Sequence, residues 1–265
     1  MAPTPEDYLA AVRRETARFR AVLAEADLEV AVPTCPGWTA ADLLHHLAEV
    51  QWFWSRVLSE NVTEDPDLDE PVRAEDRAGL LAFLDRAHDA LTDQLASLDP
   101  GEHRWSWAEE QTVGFTLRRQ AHEALVHRLD AELAVGAARA EVDPDLAADG
   151  VDEALRVMFG GVPRWATFTP GDGAVLRIAA TDTGDAWTIV LGRFAGIAPS
   201  GTTYDEPMLD VLDGSDAPTP GATVSAAAAD LDAWLWNRPT LGPVDRDGDD
   251  DALRALQEIL DAGID

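Results

Sequence analysis

The sequence predicts an α+β protein, with an N-terminal four-helix bundle followed by a small α+β domain. Three observations lead there. The first half holds four long stretches of helical periodicity joined by modest connections. Beyond about residue 140 the pattern changes to short apolar runs that alternate in strand fashion between turn residues. With 265 residues, 46% of them apolar, the chain is long enough for two units with separate cores. The division is expected at residues 1–140 for the bundle and 141–265 for the second domain.

The first helix is expected over residues 5–26, with Leu9, Val12, Phe19, Val22 and Leu23 on its apolar side. "VPTCPGW" then breaks it with two prolines and a glycine. Thr39 is a good N-cap with Asp42 in the first turn, and the second helix runs from there to about residue 60. "DPDLDEP" reads as an acidic connector to a third helix over residues 74–98. "DPGEHRWSW" leads to a fourth over 113–136, stopped by Gly136. A fifth helix is expected over 146–159, ending at "GGVP". "AVLRIAA" and "AWTIVLGRF" read as strands around the turn "TDTGD". "ATVSAAA" is a third strand candidate, running into the helix "ADLDAWLWN", and "DALRALQEIL" closes the chain as a helix. The acidic run "DRDGDDD" (Asp245–Asp251) has the composition of a calcium loop without the Gly and Glu spacing of an EF-hand, so it reads as a solvated linker.

Composition excludes several functions. Fifty acidic residues face 20 basic ones, every one of them arginine, for a net charge of −30. That balance argues against nucleic acid and against anionic membranes, and it serves solubility. No apolar run reaches the roughly 18 residues that a membrane span needs, and the N-terminus has no signal-peptide pattern. A soluble, cytoplasmic protein is the expectation. Cys35 is the single cysteine, so an intrachain disulfide, a thiolate-rich zinc finger and a paired-cysteine redox motif are excluded. Cys35 itself reads as a small buried apolar residue in preference to a metal ligand or nucleophile. Trp52, Phe53 and Trp54, with Trp105 and Trp107, are candidates to line a pocket, although such residues more often form core or rim.

The fourth helix carries the chemistry to be explained. At 100° per residue, Glu123 and His127 lie about 40° apart on one face, and Thr116, Gln120 and Asp130 share that stripe. His122 points about 100° away from Glu123. Taken alone, a polar stripe of this kind reads as the solvent side of a helix. On the second helix, His46 lies about 60° from the middle of the stripe formed by Leu43, Leu47, Val50, Trp54 and Val57, whereas His45 lies almost opposite, towards water. His46 can therefore look into the bundle, either as a core-edge histidine or as a ligand. Two histidines and a glutamate from two helices would suit zinc with one open position. Periodicity does not show that the two helices face each other.

"VPTCPGWTAADLLHHLAEV" (residues 32–50) and "RRQAHEALVHRLDAELAVG" (residues 118–136) resemble the mycothiol-dependent maleylpyruvate isomerase family, part of the wider DinB-like group of metal-dependent thiol enzymes. The likeness covers nearly the whole length. It is specific in the first half and rests in the second on domain order and on "DLDAWLWNRP". The resemblance implies a DinB-like bundle whose divalent metal, expected to be zinc, is held by His46, Glu123 and His127. It implies mycothiol as the thiol cofactor or cosubstrate and a small electrophile as substrate. It places a substrate-carboxylate contact at Arg238, which could equally cap a helix end. Asp130 is a candidate to orient His127 from the second shell, although solvation is the favoured reading of its helix position. The implied reaction is cis–trans isomerisation by reversible addition of the activated thiolate. The alternatives are a mycothiol S-transferase and a non-catalytic metal- or ligand-binding module on the same fold.

Overall fold

The computed structural model describes residues 2–69, 71–214 and 217–263, with the backbone alone of residues 172–174. Two compact units emerge, Pro3–Glu141 and a second that begins at Val142 and also takes in Ala2. Among the described residues no helix is long and apolar enough to cross a membrane.

The first unit contains α1 (Pro5–Ala24), α2 (Ala40–Ser59), α3 (Arg77–Ser97) and α4 (Val113–Ala134). Local chemistry starts each helix. Thr4 and Thr39 form reciprocal capping boxes with Asp7 and Asp42, while Asp76 and Thr112 cap α3 and α4. The first helix stops two residues earlier than its periodicity suggests. The Arg77 guanidinium takes the carbonyls of Ala24 and Ala26, which fixes the end of α1 against the start of α3. Gly136 follows the C-cap of α4 with φ of 66°, the left-handed conformation expected of a helix stop. Glu70 of the acidic connector lies outside the described residues.

In this unit α1 packs on α4 and α2 on α3, and α2 also meets α4. Phe19, Leu23, Leu43, Leu44, Leu47 and Leu84 form the apolar centre. α4 is buried almost all round. On one side Arg128, fully buried, donates from Nε to Glu15 at 2.8 Å and from Nη1 to Glu132 at 2.8 Å. Glu132 also accepts from Arg18 at 2.7 Å. The acidic partners lie on α1 and α4, so the network locks these two helices together.

The second unit opens with α5 (Pro144–Glu153), which widens into a π-turn over Ala154–Met158. Five strands follow: β1 (Ala166–Ala180), β2 (Ala186–Ile197), β3 (Thr203–Val211), β4 (Ala222–Ala226) and β5 (Asp245–Gly248), with α6 (Ala228–Leu235) and α7 (Asp250–Ala262) among them. The sheet order is β3-β2-β1-β4-β5, antiparallel except for the parallel β1–β4 pair. Leu176, Ile178, Ile189, Leu209 and Val224 are buried in one core with Val151 and Leu155 of the α5 segment, Leu231 of α6 and Leu256 of α7.

Three sheet features depart from the sequence reading. β1 begins at Ala166, well before "AVLRIAA", because Thr167–Pro170 pairs with Gly192–Ala195 across a register shift. The Pro and Gly residues there resemble a loop. β3 contains Pro207 and several acidic residues, features tolerated because it is an edge strand. The run Asp245–Asp251 is solvent-exposed as expected, yet Asp245–Gly248 pairs with β4 and Asp249 caps α7.

Candidate metal centre

α2 and α4 bring His46, Glu123 and His127 together. His46 Nε2 lies 3.4 Å from Glu123 Oε1, and His127 Nε2 lies 3.0 Å from the same oxygen. One donor atom from each of the three residues falls within 4.8 Å of the others. The rings of His46 and His127 are 4.9 Å apart and nearly perpendicular. The side chains are 31%, 20% and 11% exposed for His46, Glu123 and His127, so the cluster is sunk but not sealed.

Donors on a tetrahedral zinc at bond lengths of about 2.0–2.1 Å stand about 3.4 Å apart. The two nitrogen-to-oxygen spacings, 3.4 and 3.0 Å, lie close to that separation, and two imidazoles with a carboxylate suit the borderline-soft donor preference of zinc. The residues therefore fit a divalent ion.

The electrostatics follow from the same contacts. Burial pushes the Glu123 carboxyl up, but His127, His46 and Arg119 outweigh it and hold the group well below its ordinary value. Burial likewise pushes His127 down, and the carboxylates of Glu123 and Asp130 reverse that, raising it to about 9. Arg119 reaches Glu123 Oε2 at 3.2 Å and is almost wholly buried.

Asp130 is not in water. It is fully buried, with Oδ2 3.0 Å from His127 Nδ1 and Oδ1 accepting from the Thr34 hydroxyl at 2.6 Å. The solvated reading of its helix position fails because the loop before α2 folds over that end of the stripe. Thr116 and Gln120 are buried too, and none of their side-chain polar atoms has a hydrogen-bond partner among the described residues. The polar stripe of α4 thus faces inwards along its whole length.

The remaining candidates lie outside the His46–Glu123–His127 cluster. His122 is 1% exposed and meets Tyr8 edge-on at 6.2 Å, outside the metal-type clusters. His45 is half-buried against Phe83 of α3 at 5.8 Å rather than turned to water, and burial lowers its pKa. Cys35 is half-buried and packs against the bundle core, with Sγ also 3.7 Å from Asp130 Oδ2 at the edge of the site. Trp54 is buried and stacks on Trp105 at 6.1 Å, whereas Trp107 is 51% exposed against Phe115. Val50, Trp52, Phe53 and Trp54 of α2 line, with Leu68 and Pro71, a recess of about 340 Å³. Arg238, in the second unit, follows α6, and its Nη1 donates to the Trp236 carbonyl at 2.7 Å, at the helix end.

Sequence reasoning missed Arg119, Thr34 and Trp38. Arg119 was legible as an i,i+4 partner of Glu123. Thr34 meets a residue 96 positions away, and Trp38 packs on the His46 ring at 4.8 Å, so no local pattern announced either.

Residues 9–132 match the mycothiol maleylpyruvate isomerase N-terminal domain, and residues 145–255 match the MDMPI C-terminal domain. No curated protein matches the chain in sequence. Two crystal structures of the mycothiol-dependent maleylpyruvate isomerase are similar in fold. One, of a histidine-to-alanine mutant, has a TM-score of 0.61 at 16% identity, and the other a TM-score of 0.58 at 15% identity. Each match covers 93% of this chain and 95% of the other.

Proposed function

The chain belongs to the mycothiol maleylpyruvate isomerase family, and from that premise we propose that it is a metal- and thiol-dependent isomerase of the maleylpyruvate type. His46, Glu123 and His127 hold the divalent metal, zinc by the character of the donors. Mycothiol is the thiol, and a small electrophile with a cis double bond conjugated to a carbonyl is the substrate. The observation that carries this reading is the convergence of His46 Nε2 and His127 Nε2 on one oxygen of Glu123, at 3.4 and 3.0 Å.

When bound, the metal supplies a thiol held as thiolate at neutral pH, which a free thiol of pKa about 8.5 is not. That accounts for a site whose own cysteine is engaged with Asp130 and need not act as nucleophile. The protein's part is orientation. Asp130 holds His127 Nδ1 and leaves Nε2 to face the site. Arg119 holds the second oxygen of Glu123, so that Oε1 faces the two histidines. Arg238 is assigned to a substrate carboxylate, for which a guanidinium fork is suited.

Metal analysis of the purified protein should find about one zinc or similar divalent ion per chain, as a single three-ligand site requires. His127→Ala should abolish uptake and His122→Ala should leave it intact; equal effects refute the assignment. Mass spectrometry with mycothiol and maleylpyruvate then reads the reaction. Trans product with mycothiol unchanged supports the isomerase, and a stable thiol adduct with another electrophile indicates the S-transferase. Neither product, in metal-loaded protein, indicates the binding module. Arg238→Gln should raise KM for carboxylate-bearing electrophiles without altering zinc uptake.

A further inference from the structure

The loop Val32–Trp38 packs on His46 and reaches His127 through Asp130, both from one short piece of chain. It is held by its own backbone: Val32 N–H donates to the Trp38 carbonyl at 2.9 Å, Cys35 N–H to Val32 at 3.1 Å and Trp38 N–H to Cys35 at 3.0 Å. Pro33 and Pro36 restrict φ within it, and Gly37 adopts φ of 85°, where side chains are strained. From this frame the Thr34 hydroxyl donates to Asp130 Oδ1 at 2.6 Å, and Asp130 Oδ2 faces His127 Nδ1 at 3.0 Å. From the same frame the Trp38 ring packs on the His46 ring at 4.8 Å.

The chemistry gives these contacts a direction. An ionised carboxylate only accepts hydrogen bonds, so the Asp130 contact puts the proton on His127 Nδ1 and leaves Nε2 to supply a lone pair once it is deprotonated. Asp130 is wholly buried and could present either oxygen at several angles. The Thr34 bond to Oδ1 selects one of them. The loop runs directly into Thr39, the N-cap of α2, so the strand of chain that aligns His127 also starts the helix that carries His46.

We propose that the Val32–Trp38 loop is the positioning element of the metal centre, Thr34 orienting His127 through Asp130 and Trp38 orienting His46. The proposal rests on the metal-centre reading above, and the two can fail separately.

The test is zinc affinity of the full chain, measured by competition with a chromogenic chelator. Thr34→Val keeps the side-chain shape and removes the hydroxyl. It should weaken zinc binding about 10- to 100-fold, the range seen when outer-shell partners of ligating histidines are removed. Thr34→Ser should restore the affinity. In an Asp130→Asn background the further Thr34→Val change should cost little, because both substitutions break one relay and their effects are not additive. A general loss of structure would instead depress affinity for both Thr34 variants and add to the Asp130→Asn effect. Unchanged affinity of Thr34→Val, no rescue by serine, or full additivity with Asp130→Asn overturns the proposal while the metal centre stands. Wild-type protein that takes up no zinc overturns both.

Discussion

Protons and metal compete for His127 Nε2. The neighbouring Glu123 and Asp130 carboxylates raise the His127 pKa from its usual 6.5 to about 9, against the downward push of burial. A metal takes the Nε2 lone pair, so at any pH below about 9 the site must release a proton from His127 before it is filled. The sign for the metal-free fold is the opposite. A raised histidine pKa contributes stability that is fully present below pH 6.5 and is lost as pH rises through about 9. Acid therefore favours the paired, metal-free cluster, and alkali favours the loaded one. One proton released per metal makes the apparent affinity change tenfold per pH unit, about 1.4 kcal/mol. Between about pH 6 and pH 8 zinc should bind at least about 100-fold more tightly at the higher value. Isothermal titration of zinc at neutral pH, in buffers of different ionisation enthalpy, counts the protons released, and chelator competition across the range gives the slope. An affinity flat between those two values, or a heat of binding independent of buffer, would refute the charged His127–Glu123 pair.

Two further outcomes test the packing around the site. Arg128→Met removes the wholly buried guanidinium that joins Glu15 to Glu132 and leaves each buried carboxylate with one fewer cation, beside the half-exposed Arg14 and Arg18. It should cost about 3–5 kcal/mol and lower Tm by roughly 10 °C in calorimetry; a loss under about 1 kcal/mol would mean that water takes over the pairs. Gln120→Leu replaces a buried amide that has no hydrogen-bond partner among the described residues, so Tm should stay level or rise. A drop of several degrees in thermal denaturation would show that a bound water satisfies the amide.

Much of the candidate site was legible because its parts obey short-range rules. Glu123 and His127 are four apart, which places them on one helix face whatever the fold. Thr39 and Asp42 start α2 at the register that turns His46 towards the bundle and away from the outer strip. Other parts were misread for the same local reason. Asp130, Thr116 and Gln120 look like a wet stripe, since a helix in isolation has no way to tell an inward polar face from an outward one. His45 lies opposite the core stripe on α2, yet a third helix packs there through Phe83. In the second unit, the strand around Pro207 and the start of β1 near Pro170 had no strand signal in the sequence; these prolines lie on an edge strand and next to a register shift, where a missing N–H costs little.

The sequence by itself determined the helices, the Thr39 start of α2, the Gly136 stop of α4 and the order of bundle and sheet, while the family resemblance named three candidate donors. These depend on spacing, capping and turn chemistry within a few residues, and neighbours in the chain carry that information. The tertiary structure decided that α2 and α4 face each other, so that His46 comes within 3.4 Å of Glu123. It also decided that Thr34 reaches Asp130 across 96 positions and that the polar stripe of α4 is buried. Those contacts come from the packing of whole helices, where buried apolar area sets which faces meet and the polar groups caught between them must find partners.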